Sequence, residues 1–257
     1  FTTFHQSYSY EEFIEGIKPI IIENEDEKLE KQIIYDIKPG IFKEIVKMAI
    51  DDYPNKHAIF IDEINRGNIA NIFGELITSI EDDKRIQREN YIPVKLPYSG
   101  EEFGIPDNLY IIGTMNTADR SVEAIDTALR RRFSFIQMNP EPHKLSESDF
   151  KCNGVELDKL LFAINNRIEK LLNKDYCIGH SYFMTIKNRE NPRDELKSIF
   201  SNKILPLLQE YFYGDWGKIL LILGNGFIEK RTDSVKFLST NDYEDFEEYE
   251  EKPIYCF

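Results

Sequence analysis

Two short apolar runs constrain this chain more than any other feature: "HAIFID" at 57–62 and "LYIIGTM" at 109–115. Each is rich in Ile and aromatic residues and bounded by polar ones, which is how a strand buried on both faces reads. A helical stretch follows each. "NIANIFGELITSIED", 68–82, places Ile69, Ile72, Phe73, Leu76, Ile77 and Ile80 at helical spacing, and "SVEAIDTALRRRF" opens on a Ser cap with Glu123 near the third helical position. "FSFIQM", 133–138, is expected to close the unit as a third strand. Strand, helix, hairpin, strand, helix, strand suggests a parallel α/β sheet, whose ligands gather at the carboxyl ends of the strands.

The flanks fill in around this unit. "IFKEIVKMAIDD", 41–52, predicts a helix through Ile41, Ile45, Met48 and Ala49, stopped by Pro54 and Asn55. "YIPVKLPYSGEEFGIPDN", 91–108, reads as a hairpin broken by Pro93, Pro97, Gly100 and Gly104. Near the start, "SYEEFIEGI" predicts a short Ser-capped helix, and residues about 18–40 two strands around an acidic turn, a hairpin inserted between sheet elements. From Pro140 the pattern turns mostly helical, so we expect an α/β core over 1–139 and a helical subdomain with an acidic tail over 140–257.

Composition excludes several classes. The chain has 257 residues, enough for one large domain or a core with a smaller companion, and no apolar run reaches the ~20 residues needed to span a bilayer. A net charge of −14 argues against a general nucleic-acid binder. Much of that acidity sits in "NDYEDFEEYEEKP", which leaves a local basic patch open. Three cysteines, Cys152, Cys177 and Cys256, are an odd number at no metal-ligand spacing, which suits structural thiols in a reducing cytoplasm. The opening "FTTFHQSYSY" has no signal core and no initiator Met, and is expected to be an internal cut.

Three local signals carry chemistry. Asp62 and Glu63 end the first strand; in a nucleotide hydrolase the first carboxylate of such a pair holds Mg²⁺ through its water shell and the second orients or deprotonates the attacking water. The plain alternative is the start of a solvated loop. If the 109–115 strand lies beside 57–62, Asn116 emerges next to that pair, where its amide can hold a γ-phosphate or the lytic water; a turn Asn is the plain alternative. Arg130, Arg131 and Arg132 end the next helix, where they either satisfy the helix dipole or reach across a subunit boundary to a neighbour's phosphates.

"HAIFIDEINRGNIANIFGELITSIEDDKR" and "YIIGTMNTADRSVEAIDTALRRRFSF" together closely resemble the AAA+ domain of McrB-type proteins, the GTP-hydrolysing motor subunits of methylcytosine-directed restriction systems. "TFHQSYSYEEFIEGIKP", "IGHSYFM" and "ILPLLQEYFYGDWGKI" are similar to the same family, so the resemblance covers nearly the whole chain. It implies an AAA+ parallel-sheet core followed by a helical lid. Asp62 and Glu63 would be the Walker B pair, Asn116 the sensor-1 amide, Asp119 and Arg120 the rest of the MNTADRS signature, and 121–132 the arginine-finger helix. Arg131 and Arg132 match the arginine-finger region, Arg66 is a further candidate to reach a neighbour's nucleotide, and His180 in the lid is as compatible with packing as with nucleotide contact.

The resemblance further implies Mg²⁺ with GTP, ATP being the alternative; a ring of copies, a hexamer; an McrC-like endonuclease subunit; and DNA recognition by a separate N-terminal domain. One element departs from the pattern. The chain contains no G-x-x-x-x-G-K-[ST] loop to cradle phosphates, and in the family that loop and its strand lie N-terminal to "FHQSYSYEEF". Two other readings therefore stay open: an ATPase of another defence or remodelling system, and a nucleotide-free scaffold or inactive ring member.

Overall fold

The computed structural model describes residues 1–23, 31–118, 127–146, 150, 152, 154–227, 229–231 and 254–256. The chain divides into two compact units, Phe1–Ile136 and Gln137–Phe257. No described helix is long and apolar enough to cross a membrane.

The first unit is built on a three-stranded parallel sheet in the order β1 (Thr2–Thr3), β4 (His57–Asp62), β7 (Leu109–Gly113). Register pairs Thr3 with Asp62 and Ile61 with Gly113, so the two long apolar runs lie side by side and in phase. Ile59, Ile61 and Leu109 are wholly buried, packed with Phe4, with Phe13 of α1 (Tyr10–Phe13), with Phe42 of α2 (Ile41–Asp51) and with Phe73 of α3 (Ile69–Phe73). The four rings meet edge-on, tilted or stacked at centroid distances of 4.9–6.5 Å, which fixes one layer of elements against one face of the sheet.

Four expectations need correction. The strands are buried on one face only: Phe60, Tyr110 and Ile112 alternate outward and stay 48, 47 and 41% exposed, because the described elements pack on a single side. "FSFIQM" joins no ladder, and Phe135, Ile136 and Met138 remain exposed, since no described strand lies beside it to accept its backbone. The expected 68–82 helix breaks at Gly74, where φ is +52°, and continues as a 3₁₀ turn over Gly74–Ile80. Its apolar spacing still buries Ile69, Ile72, Phe73, Leu76 and Ile80, so periodicity located the face but not the helix type. In α2 Ala49 is buried as expected and Ile41 and Ile45 pack partly buried against the core, but the fully buried stripe runs through Phe42 and Val46, and Met48 is 59% exposed.

Two hairpins project from this unit. Strands β2 (Glu15–Glu23) and β3 (Lys31–Pro39) form a nine-residue antiparallel ribbon, whereas β5 (Val94–Lys95) and β6 (Glu102–Phe103) make a much shorter one. Glu15, at the ribbon's root and 0% exposed, ties them together. Its carboxylate accepts the backbone N–H groups of Tyr98 (3.2 Å) and Ser99 (2.9 Å) and the Ser99 hydroxyl (3.0 Å). It also pairs with Lys43 Nζ at 2.6 Å, and Lys43 reaches Glu101 at 2.7 Å. Burial pushes the Glu15 carboxyl up, but the bonds from Lys43 and Ser99 outweigh it and hold the group below the usual carboxylate range.

The second unit packs α5 (Leu157–Leu171), α6 (Pro192–Ile199), α7 (Leu205–Tyr211) and α8 (Trp216–Leu223) around Leu161, Ile164, Ile168, Phe200, Leu208 and Ile219. A short ribbon of β8 (Glu229–Arg231) with β9 (Ile254–Cys256) was not expected from the sequence. Inside α5, Asn165 is buried and mimics a strand edge: its Nδ2 donates to the Ile178 carbonyl (2.9 Å) and its Oδ1 accepts the Ile178 N–H (2.7 Å). Asn165→Ala leaves both backbone groups unmatched, and we expect a loss of about 2 kcal/mol, read as a lower denaturant midpoint with an unchanged slope.

Candidate functional site

The site is assembled where β4 and β7 end together. Asp62 closes β4, and Glu63 leaves the strand in the left-handed region, φ 52° and ψ 43°, as the cap of a 3₁₀ turn over Ile64–Arg66. A non-glycine residue held there carries strain that surrounding contacts must compensate. Those contacts are visible. The Ile64 N–H donates to the Thr114 carbonyl and the Thr114 N–H to the Ile61 carbonyl, both at 2.9 Å, while buried Ile64 packs against Gly113 so closely that a Cβ there would stand 2.9 Å from its Cδ1.

This knitting fixes the carboxylates relative to the second strand end. The Thr114 hydroxyl donates to Asp62 Oδ1 at 2.5 Å. Thr114 was not singled out in the sequence, although a hydroxyl two residues before the candidate sensor amide was there to be seen. Glu63 Oε2 is shielded from solvent and accepts no hydrogen bond of good geometry; its neighbour is Arg66 Nε at 3.3 Å. Asn116 is exposed and its Oδ1 accepts the Ala118 N–H at 3.1 Å, an Asx turn, so the turn reading describes its local geometry. With the oxygen turned inward, the Nδ2 group is the side of the amide left to donate.

The candidate arginines separate into different situations. Arg132 pairs with Glu81 of its own unit at 2.9 Å, and Arg66 with Glu63. Arg130 lies over the Phe135 ring at 5.2 Å. Arg131 is exposed and has no ion pair among the described residues. A fifth arginine, Arg85, is buried: it donates from Nε and Nη2 to the Ile80 carbonyl at 3.1 and 3.0 Å and from Nη1 to the Leu109 carbonyl, pinning the 3₁₀ segment to the root of β7. Asp119, Arg120 and residues 121–126 of the expected arginine-finger helix lie outside the described residues; Thr127–Arg130 is helical.

In the second unit His180 begins a 3₁₀ turn, and its Nδ1 accepts the Glu141 N–H at 3.1 Å, which places the ring proton of the neutral form on Nε2. The bond gives His180 a packing role within its own unit.

Among the described residues no three His, Cys, Asp or Glu side chains group as a metal cage. Magnesium does not need one, since it keeps most of its waters and takes one or two carboxylates plus substrate phosphates. Asp62 fits that use: Thr114 occupies Oδ1, leaving Oδ2 to meet a metal-bound water.

A family profile described as "AAA domain (dynein-related subfamily)" matches residues 1–133, and one described as "McrB, alpha-helical lid domain" matches residues 156–220. The chain is 40% identical over 227 residues to the "Type IV methyl-directed restriction enzyme EcoKMcrB subunit" of Escherichia coli (strain K12), covering 82% of this chain and 46% of that protein. It is 25% identical over 241 residues to the "Type II restriction enzyme BsuMI component YdiS" of Bacillus subtilis (strain 168), covering 81% of this chain and 68% of that protein. The chain thus spans about half the length of the E. coli relative, 46%.

Proposed function

The chain belongs to the McrB-type AAA+ family, and from that premise we propose that it carries the hydrolytic half of a GTPase site in the ring-forming motor of a modification-dependent DNA restriction system. The observation that carries the reading is the knitted junction of two parallel strand ends, which ties Asp62 to Thr114 and from which Glu63 and Asn116 follow on the two adjacent strands.

Each residue then has one task. Glu63 orients the attacking water and takes its proton; its Oε2 is held out of solvent beside Arg66 Nε at 3.3 Å, which steadies the side chain as the base. Asp62, steadied by Thr114, holds a water of the Mg²⁺ shell, and the ion supplies charge neutralisation at the phosphates when bound. Asn116 offers Nδ2 to the γ-phosphate or the water. Arg131 is the arginine that acts on a neighbouring copy's nucleotide, whereas Arg132 braces its own subunit through Glu81. Asp119 and Arg120 contribute the remaining signature, and His180 serves the lid. GTP is the preferred nucleotide, a hexamer the assembly, the cytoplasm the setting, an McrC-like nuclease the partner, and DNA is read by a separate N-terminal domain.

Turnover in the full-length protein tests the reading. GTP should be hydrolysed faster than ATP, and Arg131→Ala should lower kcat by about 10³ with nucleotide affinity kept, while Arg132→Ala acts mainly on stability. If Arg132→Ala alone abolishes turnover in a folded ring, the two roles are exchanged. Phosphate cradling is a separate matter: the 257-residue chain has no phosphate loop, so titrating it with GTP and Mg²⁺ should give no micromolar binding. Tight binding would mean that phosphate is held by groups outside this reading.

A further inference from the structure

The ribbon of β2 and β3 carries a surface that neither the core nor the hydrolytic junction uses. Its ladder sets Ile17 opposite Ile37, Pro19 opposite Tyr35 and Ile21 opposite Ile33, and strand alternation puts all six on one face. All six are exposed, Tyr35 at 73% and Ile21 and Ile33 at 60% each. On the other face Lys18 stands opposite Asp36, and Ile20 opposite Ile34 is less exposed, Ile34 at 36%. A two-stranded ribbon is marginal in water unless something packs on it. Here the more exposed face is apolar, and Ile37 leads from it into a groove of about 650 Å³ at the ribbon's root, where Val46, Ile50 and Phe103 are rimmed by Lys43, Lys47 and Glu101.

We propose that this face is covered, in the assembled protein, by the neighbouring copy of the same chain, through a head-to-tail contact repeated around the ring. The proposal rests on the ring reading above. Size argues for this occupant. The six side chains expose on the order of 600 Å² of apolar area, the upper end for a patch on an ordinary monomer. A free-standing complex needs about 800 Å² on each partner. An isolated pair of copies, or a separate protein held by the ribbon alone, would be under-held, whereas a ring neighbour adds its other contacts to this one.

Charge points the same way. Copies of a chain with net charge −14 repel one another, and these six residues let them meet without setting like charges together. Symmetry sets the form of the contact. Ribbon against ribbon about a two-fold axis would stop at two copies, so a ring requires the face to meet a different surface of the neighbour. The buried Glu15 anchor holds the ribbon's root in a fixed direction for that contact.

The full-length protein with GTP and Mg²⁺ tests this by mass photometry. Ile21→Thr together with Ile33→Thr keeps β-branched side chains while removing apolar area, and should raise the concentration needed for assembly at least tenfold with the far-ultraviolet spectrum and unfolding midpoint of the monomer retained. A photo-reactive phenylalanine at position 35 should yield a covalent pair of two copies. Assembly of the double variant at wild-type concentration, or cross-linking from position 35 only to the nuclease subunit or to nothing, overturns the proposal while leaving the ring reading standing. A wild-type protein that never assembles overturns both.

Discussion

Glu63→Gln is expected to lower nucleotide turnover by about 10²–10⁴-fold, the usual contribution of a positioned general base. Gln keeps the length of the side chain and can still sit beside Arg66, so the backbone junction with Thr114 should survive and nucleotide affinity and assembly should stay near wild type. What it loses is the ability to accept a proton. The geometry makes this a sharp test. Glu63 sits in the left-handed region with its Oε2 held out of solvent beside Arg66 Nε, a constrained geometry that a solvated loop residue has no reason to carry. A loop carboxylate would give unchanged hydrolysis in the same variant, and that result would remove Glu63 from the chemistry. Pre-steady-state phosphate release separates a slowed chemical step from slowed product release, and the loss should lie in the first.

How much of this could be read from residues follows a physical pattern. Features set by neighbours in sequence were legible: the two parallel runs, the carboxylates at the end of one and the amide beyond the other. The adjacency of those ends was inferred from order, and register pairing of Ile61 with Gly113 supplies it directly. What failed depended on long-range packing. Whether β4 and β7 are covered on both faces is decided by elements distant in sequence, so an apolar run alone could not say that Phe60 and Ile112 face outward. The break at Gly74 illustrates the same point: spacing of Ile69 to Ile80 fixes which side is buried, and the turn type is decided by how tightly the chain must wind to keep it there. The three arginines read alike as "RRR", and only Glu81, fifty-one residues earlier, distinguishes Arg132. Glu15 was invisible, because its four partners come from Lys43 and the Tyr98–Ser99 turn.

That residue gives the second large expected effect. Glu15→Ala should destabilise the first unit by about 3 kcal/mol, since it strands two backbone N–H groups and a hydroxyl at a buried site and removes one of the two carboxylates around Lys43. Glu15→Gln should cost less, because its amide oxygen still accepts from Ser99. The pH dependence distinguishes a charged anchor from simple packing. A carboxyl held below its ordinary value of 4.5 contributes stability that is complete above that value and disappears as pH falls through the lower folded-state value. The gap between wild type and Glu15→Gln, measured by urea unfolding, should therefore be widest near neutrality and narrow steadily below about pH 4.5. A gap that stays constant into acid would assign Glu15 to shape alone. If it narrows, amide exchange should also quicken at Ser99 and not at Ile59 in Glu15→Gln, because the bond to Ser99 is the one weakened and the sheet beneath does not depend on it. The two hairpins then share one electrostatic root, and a change at position 15 alters how the ribbon is held without touching Asp62, Glu63 or Asn116.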